Sequence, residues 1–283
     1  MTLVTPSRVA QLFLAALLTT FTHTAAAQSA ALRVYLGFDS NEYPGDENLA
    51  ELRKTFTFAG YWISPPPATK TNPWLGKRAA LASYGFGFLV LFNGRLDAEL
   101  KHAPSARTLG EQDADRATAS ASNEGFAHGT IIFLDQEEGG RLLDQQMEYV
   151  QAWIARVIKN GFKAGIYCSG MPVKDGKNKT ITTAENIREE SHGAEIAFFV
   201  YNDACPPSPG CAYKTPDPSQ SGTNFAAVWQ FAQSPRRKEF TASCAATYAH
   251  DNNCRPVNAT NPALASALLD LDTATSPDPS HTR

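Results

Sequence analysis

Long apolar runs are what this sequence most plainly lacks. The nearest approach, residues 12–18, is far shorter than the roughly 20 residues a membrane-spanning helix needs, so no membrane span is expected. Basic clusters are missing as well: 28 acidic residues against 25 basic ones give a net charge of −3. Nucleic acid and anionic membranes are therefore poor partners. Histidine is scarce, and His102, His128, His192 and His250 show no metal-ligand spacing, so neither a catalytic metal nor another cofactor is expected. Internal repeats and long low-complexity linkers are also absent, which favours one domain, and a monomer is expected.

The first residues read as an address label. Arg8 supplies a positive charge, residues 12–18 an apolar stretch, and Ala25, Ala26 and Ala27 a small-residue cleavage site before Gln28. That is the layout of a secretory signal peptide over residues 1–27, and it places the remainder in a secreted or periplasmic setting. Residues 28–275 are then expected to form the folded domain and residues 276–283 a polar tail. Only five cysteines are present, all in the exported part, where disulfides persist. Cys205 and Cys211 flank a CPPSPGC turn, and Cys244 and Cys254 flank a polar loop; two local bridges are the economical pairing, with Cys168 left over. Other pairings, or an intermolecular bridge through Cys168, remain open on sequence grounds. The Pro-rich CPPSPGC spacer is too long for a redox pair, and Cys168 has no histidine on a neighbouring strand end to activate it.

Short apolar runs rich in Val, Ile, Phe and Tyr recur at residues 34–38, 58–63, 86–92, 130–134, 163–168, 196–201 and 227–231, with a short last strand expected in or after the apolar run 265–271. Most are continuous rather than alternating, as strands covered on both faces are. Helical patterns lie between them, clearest at residues 142–158 with Gly161 as a stop signal, and weaker at 47–56, 111–126 and 183–190. After Tyr201 the helices give way to Pro, Gly and Ser. Strand–helix alternation points to an α/β fold with a parallel sheet: an irregular TIM-type barrel of about eight strands and about five helices, its later crossovers replaced by loops.

In such a barrel the reactive groups gather at the carboxyl ends of strands. The first strand ends GFDSNEY with Asp39; the fourth ends IIFLDQEEGG with Asp135 and Glu137; the fifth ends GIYCSG with Tyr167; then come Tyr201, Asn202 and Asp203, and Trp229 with Gln230. Residues i and i+2 of a strand share a side, with Cα atoms about 6.5–7 Å apart, so Asp135 and Glu137 are spaced to flank a glycosidic bond. Two carboxyls so close do not both ionise cheaply; one keeps a proton to donate while the other stays charged. Tyr61, Trp62, Tyr167, Tyr201 and Trp229 offer flat faces for sugar rings, though ordinary core packing is the stronger account of any single one.

GFD near the mature amino terminus, the D-x-E strand end, GIYCSG, the aromatic strand ending at Tyr201 and VWQF resemble, in order and spacing, the landmarks of glycoside hydrolase family 25 lysozymes. WQFAQSPRRKEF, the cysteine-rich loop and LLDLDTATSPDPS are closer to the bacterial glycoside-hydrolase-like domain family. The resemblance implies an irregular barrel, with Asp39 an active-site carboxylate, Asp135 the ionised partner and Glu137 the proton donor; Asp272 is a further acidic residue at the last strand, and Asn202 and Gln230 join the aromatics in substrate binding. It also implies an exported hydrolase of β-linked amino-sugar cell-wall glycan, a peptidoglycan-type polysaccharide. A non-catalytic wall-carbohydrate-binding protein on the same barrel is the alternative. Two segments depart from the lysozyme pattern and bear on specificity: SNEYPG after Asp39, and FFVYND in the sixth strand.

Overall fold

The computed structural model describes residues 1–3, 33–101, 105–239 and 242–282; the signal segment expected at residues 1–27 lies almost wholly outside them. Eight strands close into a barrel in the order β1 (Tyr35–Asp39), β2 (Phe58–Trp62), β3 (Gly87–Asn93), β4 (Ile131–Asp135), β5 (Lys163–Ser169), β8 (Ile196–Tyr201), β9 (Val228–Ala232) and β10 (Asp270–Ala274), which returns to β1. Two short strands, β6 (Val173–Lys174) and β7 (Thr180–Ile181), form a separate hairpin. Strands β1 to β9 of the barrel run parallel, but β10 is antiparallel to both of its neighbours. An all-parallel sheet is thus corrected at its last strand. Residues 233–269, between the end of β9 and the start of β10, bring the chain back at the carboxyl-end rim, from which only a downward strand can close the barrel.

Seven α-helices occur among the described residues: α1 (Leu49–Leu52), α2 (Arg78–Ser83), α3 (Asp97–Leu100), α4 (Ala106–Asn123), α5 (Asp144–Lys159), α6 (Thr183–Glu190) and α7 (Pro262–Ala265). The pattern at 47–56 thus yields only a 3-10 turn and one turn of α-helix. Helix α4 begins where the Ser105 hydroxyl accepts the Thr108 N–H at 3.2 Å. Helix α5 buries Val150, Trp153, Ile154 and Val157 on one face, as its spacing requires. The two pack closely because Gly110 lets the α4 backbone approach α5: a Cβ there would lie 2.4 Å from the Tyr149 carbonyl oxygen. Buried Asp113 ties the pair, accepting from Arg95 at 2.7 Å and from the Tyr149 hydroxyl at 2.9 Å.

After β8, long loops with only short helical turns replace the crossover helices, and the disulfides hold these loops together. Cys205 pairs with Cys244 and Cys211 with Cys254, with Cys168 free and buried. The two local bridges are therefore corrected. The loop after β8 lies against the loop after β9, and each bridge crosses between them. The expected polar tail is also part of the fold: Asp278 accepts the Phe88 N–H at 2.8 Å, and Ser280, fully buried, accepts from Val90 and pairs with Phe88 and Ile131.

Candidate active site

Strand register decides which side chains meet. Asp39 pairs across to Asp270, and Asp135 to Tyr167. Their inward side chains, with Glu137 and Trp62, wall a cavity of about 100 Å³ at the rim of the barrel. Asp39 fits because its neighbour on β2 is Gly60, where a Cβ would come within 2.4 Å of the Asp39 Cβ. The three carboxylates singled out in the sequence, Asp39, Asp135 and Glu137, thus face one cavity. A fourth, Asp270, joins them because β10 runs downward and presents its first residue, not its last, at the rim.

Beneath the carboxyls Gln230 is fully engaged. Its amide N–H groups donate to Asp39 Oδ2 at 2.8 Å and Asp270 Oδ2 at 3.3 Å; its carbonyl oxygen accepts from the Tyr167 hydroxyl and from Gln233, each at 2.6 Å. With donors and acceptors both satisfied, the amide has one orientation and spaces the two acids apart. Glu137 and Glu138 separate cleanly. The Glu137 carboxyl faces the cavity and its carbonyl accepts the Tyr201 hydroxyl at 3.0 Å. Glu138 turns away to accept the Asp97 backbone N–H at 2.6 Å and the Gln146 amide at 2.5 Å, joining the starts of α3 and α5.

Burial governs the charge state. Asp39 and Asp135 are each 5% exposed. Desolvation pushes Asp39 up to about 6, against the bond from Gln230 that favours its charged form. Asp135 is held well above the usual carboxylate range by burial first, then by Glu137 and Asp39, and its Oδ1 has no hydrogen-bond partner. Glu137 is also raised, by burial and by Glu138, against the pull of Arg237. Asp270 is raised well above range by burial and Asp39. Burial and mutual repulsion thus oppose ionisation across the cluster, at Asp135 as well as at Glu137.

The other expected binding residues divide by strand parity. Trp62, Tyr167 and Gln230 reach the cavity. Tyr61 and Trp229, their immediate neighbours in sequence, must point the opposite way. Tyr61 is fully buried, its hydroxyl donating to Glu124 and its ring packed on Phe88 and Phe126, so it offers no face to a sugar. Trp229 is likewise buried, its indole N–H on the Asn202 carbonyl at 2.9 Å. Asn202 holds a loop instead, donating to the Ser221 carbonyl at 3.0 Å. Tyr201 lies beside the cavity with Tyr167 packed against its ring and Arg237 over it. Asp272 lies below the cavity with no exposed surface. Asn41, Gln233 and Asp270 are wall residues the sequence reading did not pick out. No group of three or more His, Cys, Asp or Glu among the described residues is arranged to hold a metal ion, and no helix among them is long and apolar enough to cross a membrane.

Residues 53–204, more than half of the chain, match the family described as Rv2525c-like, glycoside hydrolase-like domain. Among solved structures, an uncharacterized B. stearothermophilus protein is 17% identical with a TM-score of 0.52, over 85% of this chain and 95% of its own. The Mycobacterium tuberculosis Tat-secreted protein Rv2525c, in complex with L-tartrate, is 12% identical with a TM-score of 0.52, over 87% of this chain and 97% of its own. At these identities the likeness is one of fold alone. No curated protein matches the chain.

Proposed function

The chain belongs to the Rv2525c-like, glycoside hydrolase-like domain family, and on that premise we propose that it is an exported hydrolase of β-linked amino-sugar cell-wall glycan, working through two carboxyl groups. The observation that carries the reading is the convergence of Asp135 and Glu137 with Asp39 on one cavity, beside the indole of Trp62. Glu137, raised in pKa yet reachable from the cavity, is placed to protonate the leaving glycosidic oxygen. Asp135, deeper and less solvated, answers the positive charge that develops on the sugar ring. A cation forming beside it favours the ionised form of Asp135, the form in which it acts. The gain is then largest in the transition state, where it speeds the reaction. The exported setting rests on the signal-like residues 1–27 and on two disulfides.

The test is reducing-end release from peptidoglycan-type glycan by purified wild type, Glu137→Gln, Asp135→Asn and Glu138→Gln. Glu137→Gln is expected to lower kcat by roughly two to four orders of magnitude at unchanged stability, and Asp135→Asn to be severely impaired. Glu138→Gln is expected to retain turnover, since the amide oxygen can still accept the bonds from α3 and α5. Equal turnover by Glu137→Gln and wild type refutes the assignment. Glycan binding without turnover in any of the four proteins establishes a wall-binding role instead.

A further inference from the structure

Asp272 has no part in the reading above, yet its surroundings are unusual for a carboxyl group. It sits on β10 two residues beyond Asp270, paired with Gly37 of β1 and Gln230 of β9, and has no exposed surface. Neither of its oxygens receives a hydrogen bond from any backbone N–H, amide or hydroxyl. Phe58 from β2 fills the space at Gly37, where a Cβ would come within 2.2 Å of its ring, so the wall on that side is apolar. The polar group Asp272 meets is the carboxyl of Asp39. Two facing carboxyls need one proton between them, because a buried, unpaired carboxylate is among the most costly groups a fold can hold.

The hydrogen bonds decide which of the two carries it. Asp39 already accepts an N–H from Gln230 at 2.8 Å, which favours its charged form, whereas Asp272 accepts nothing. We propose that Asp272 is a positioning residue: at neutral pH it stands as a carboxylic acid and donates its O–H to Asp39, fixing that carboxylate in place between Asp272 and Gln230. The ionisable groups that act on it are Asp39 from β1 and Asp270 from its own strand; β9 presents neutral Gln230 and β2 presents Phe58. Asp135 from β4 and Tyr167 from β5 act on the Asp39 end of the pair. Both acids acting on Asp272 oppose its ionisation, and burial adds to them, holding it well above the usual carboxylate range. The catalytic consequence rests on the hydrolase reading, but the hydrogen bond does not.

The experiment therefore avoids turnover. The full exported chain, as wild type, Asp272→Asn and Asp272→Leu, is labelled with carboxyl-13C aspartate and followed by infrared and NMR titration. Wild type is expected to show a protonated, buried aspartic acid at pH 7 that disappears in Asp272→Asn. The asparagine keeps an N–H for Asp39, so Asp39 is expected to titrate close to its wild-type position; the leucine supplies no donor, and Asp39 is expected to titrate about one pH unit or more higher. An ionised Asp272 at pH 7 overturns the proposal, as does an Asp39 titration that is the same in the asparagine and leucine variants. If Asp272→Leu does not fold, the infrared comparison of wild type with Asp272→Asn decides. These results stand whether or not the protein cleaves glycan.

Discussion

Replacing Asp39 by asparagine is expected to make the protein more stable at neutral pH, even though it removes a residue from the centre of the cavity. A carboxyl whose folded pKa lies above its unfolded one binds more protons folded than unfolded, so stability falls as pH rises between the two values. For Asp39 these are its ordinary 3.8 and about 6. At about 1.4 kcal/mol per pH unit, the gap corresponds to about 3 kcal/mol of stability present below pH ~4 and lost above pH ~6. Asparagine has no such loss. Its carbonyl oxygen can accept the Gln230 N–H, and its amide N–H can face Asp272, which otherwise receives no donor. For a domain of this size 3 kcal/mol corresponds to a rise in Tm of roughly 6–12 °C near pH 7, shrinking towards zero at pH ~4. Thermal unfolding of both proteins across that range measures it. A variant no more stable than wild type at pH 7, or one whose Tm depends on pH as wild type's does, would refute the reasoning.

Three further outcomes follow from the packing. Peptide mapping of unreduced protein is expected to recover Cys205 joined to Cys244 and Cys211 to Cys254, and opening the second bridge, which spans 43 residues, is expected to cost about 4 kcal/mol by loop entropy, read by denaturant unfolding. Gly110→Ala is expected to destabilise by about 1–3 kcal/mol, because the new methyl meets the Tyr149 carbonyl; an unchanged midpoint contradicts the close α4–α5 approach. Deleting residues 276–283 is expected to lower Tm sharply while leaving the cavity residues in place, since the Phe88, Val90 and Ile131 N–H groups lose their acceptors.

Continuous apolar runs made seven of the eight barrel strands legible, and the same continuity hid which side each residue faces. Where a strand is buried on both sides, Tyr61 and Trp62 look alike, and only the rule that neighbours point apart separates them; of Trp229 and Gln230 it is the amide that faces the cavity. That Asp135 and Glu137 reach one cavity was readable because they stand two apart, at a strand end and just beyond it. Asp270 was not, because the rule that barrel sites lie at carboxyl ends of strands assumes that every strand points the same way. The disulfides escaped for a related reason: partners near in sequence are the economical choice, but here two loops lie side by side and cross-link each other. Helix α4 was only partly visible, since Ala, Gly, Thr and one Asp form its buried face in place of large apolar residues.

The reversed last strand also sets where the barrel can be held. Tyr35, which opens β1, pairs with Ala274, which closes β10, so the chain enters and leaves the barrel at the end away from Asp39 and Asp270. A linker or solid support attached at either end of the barrel segment would leave the acidic mouth pointing outward instead of pressed against its own anchor.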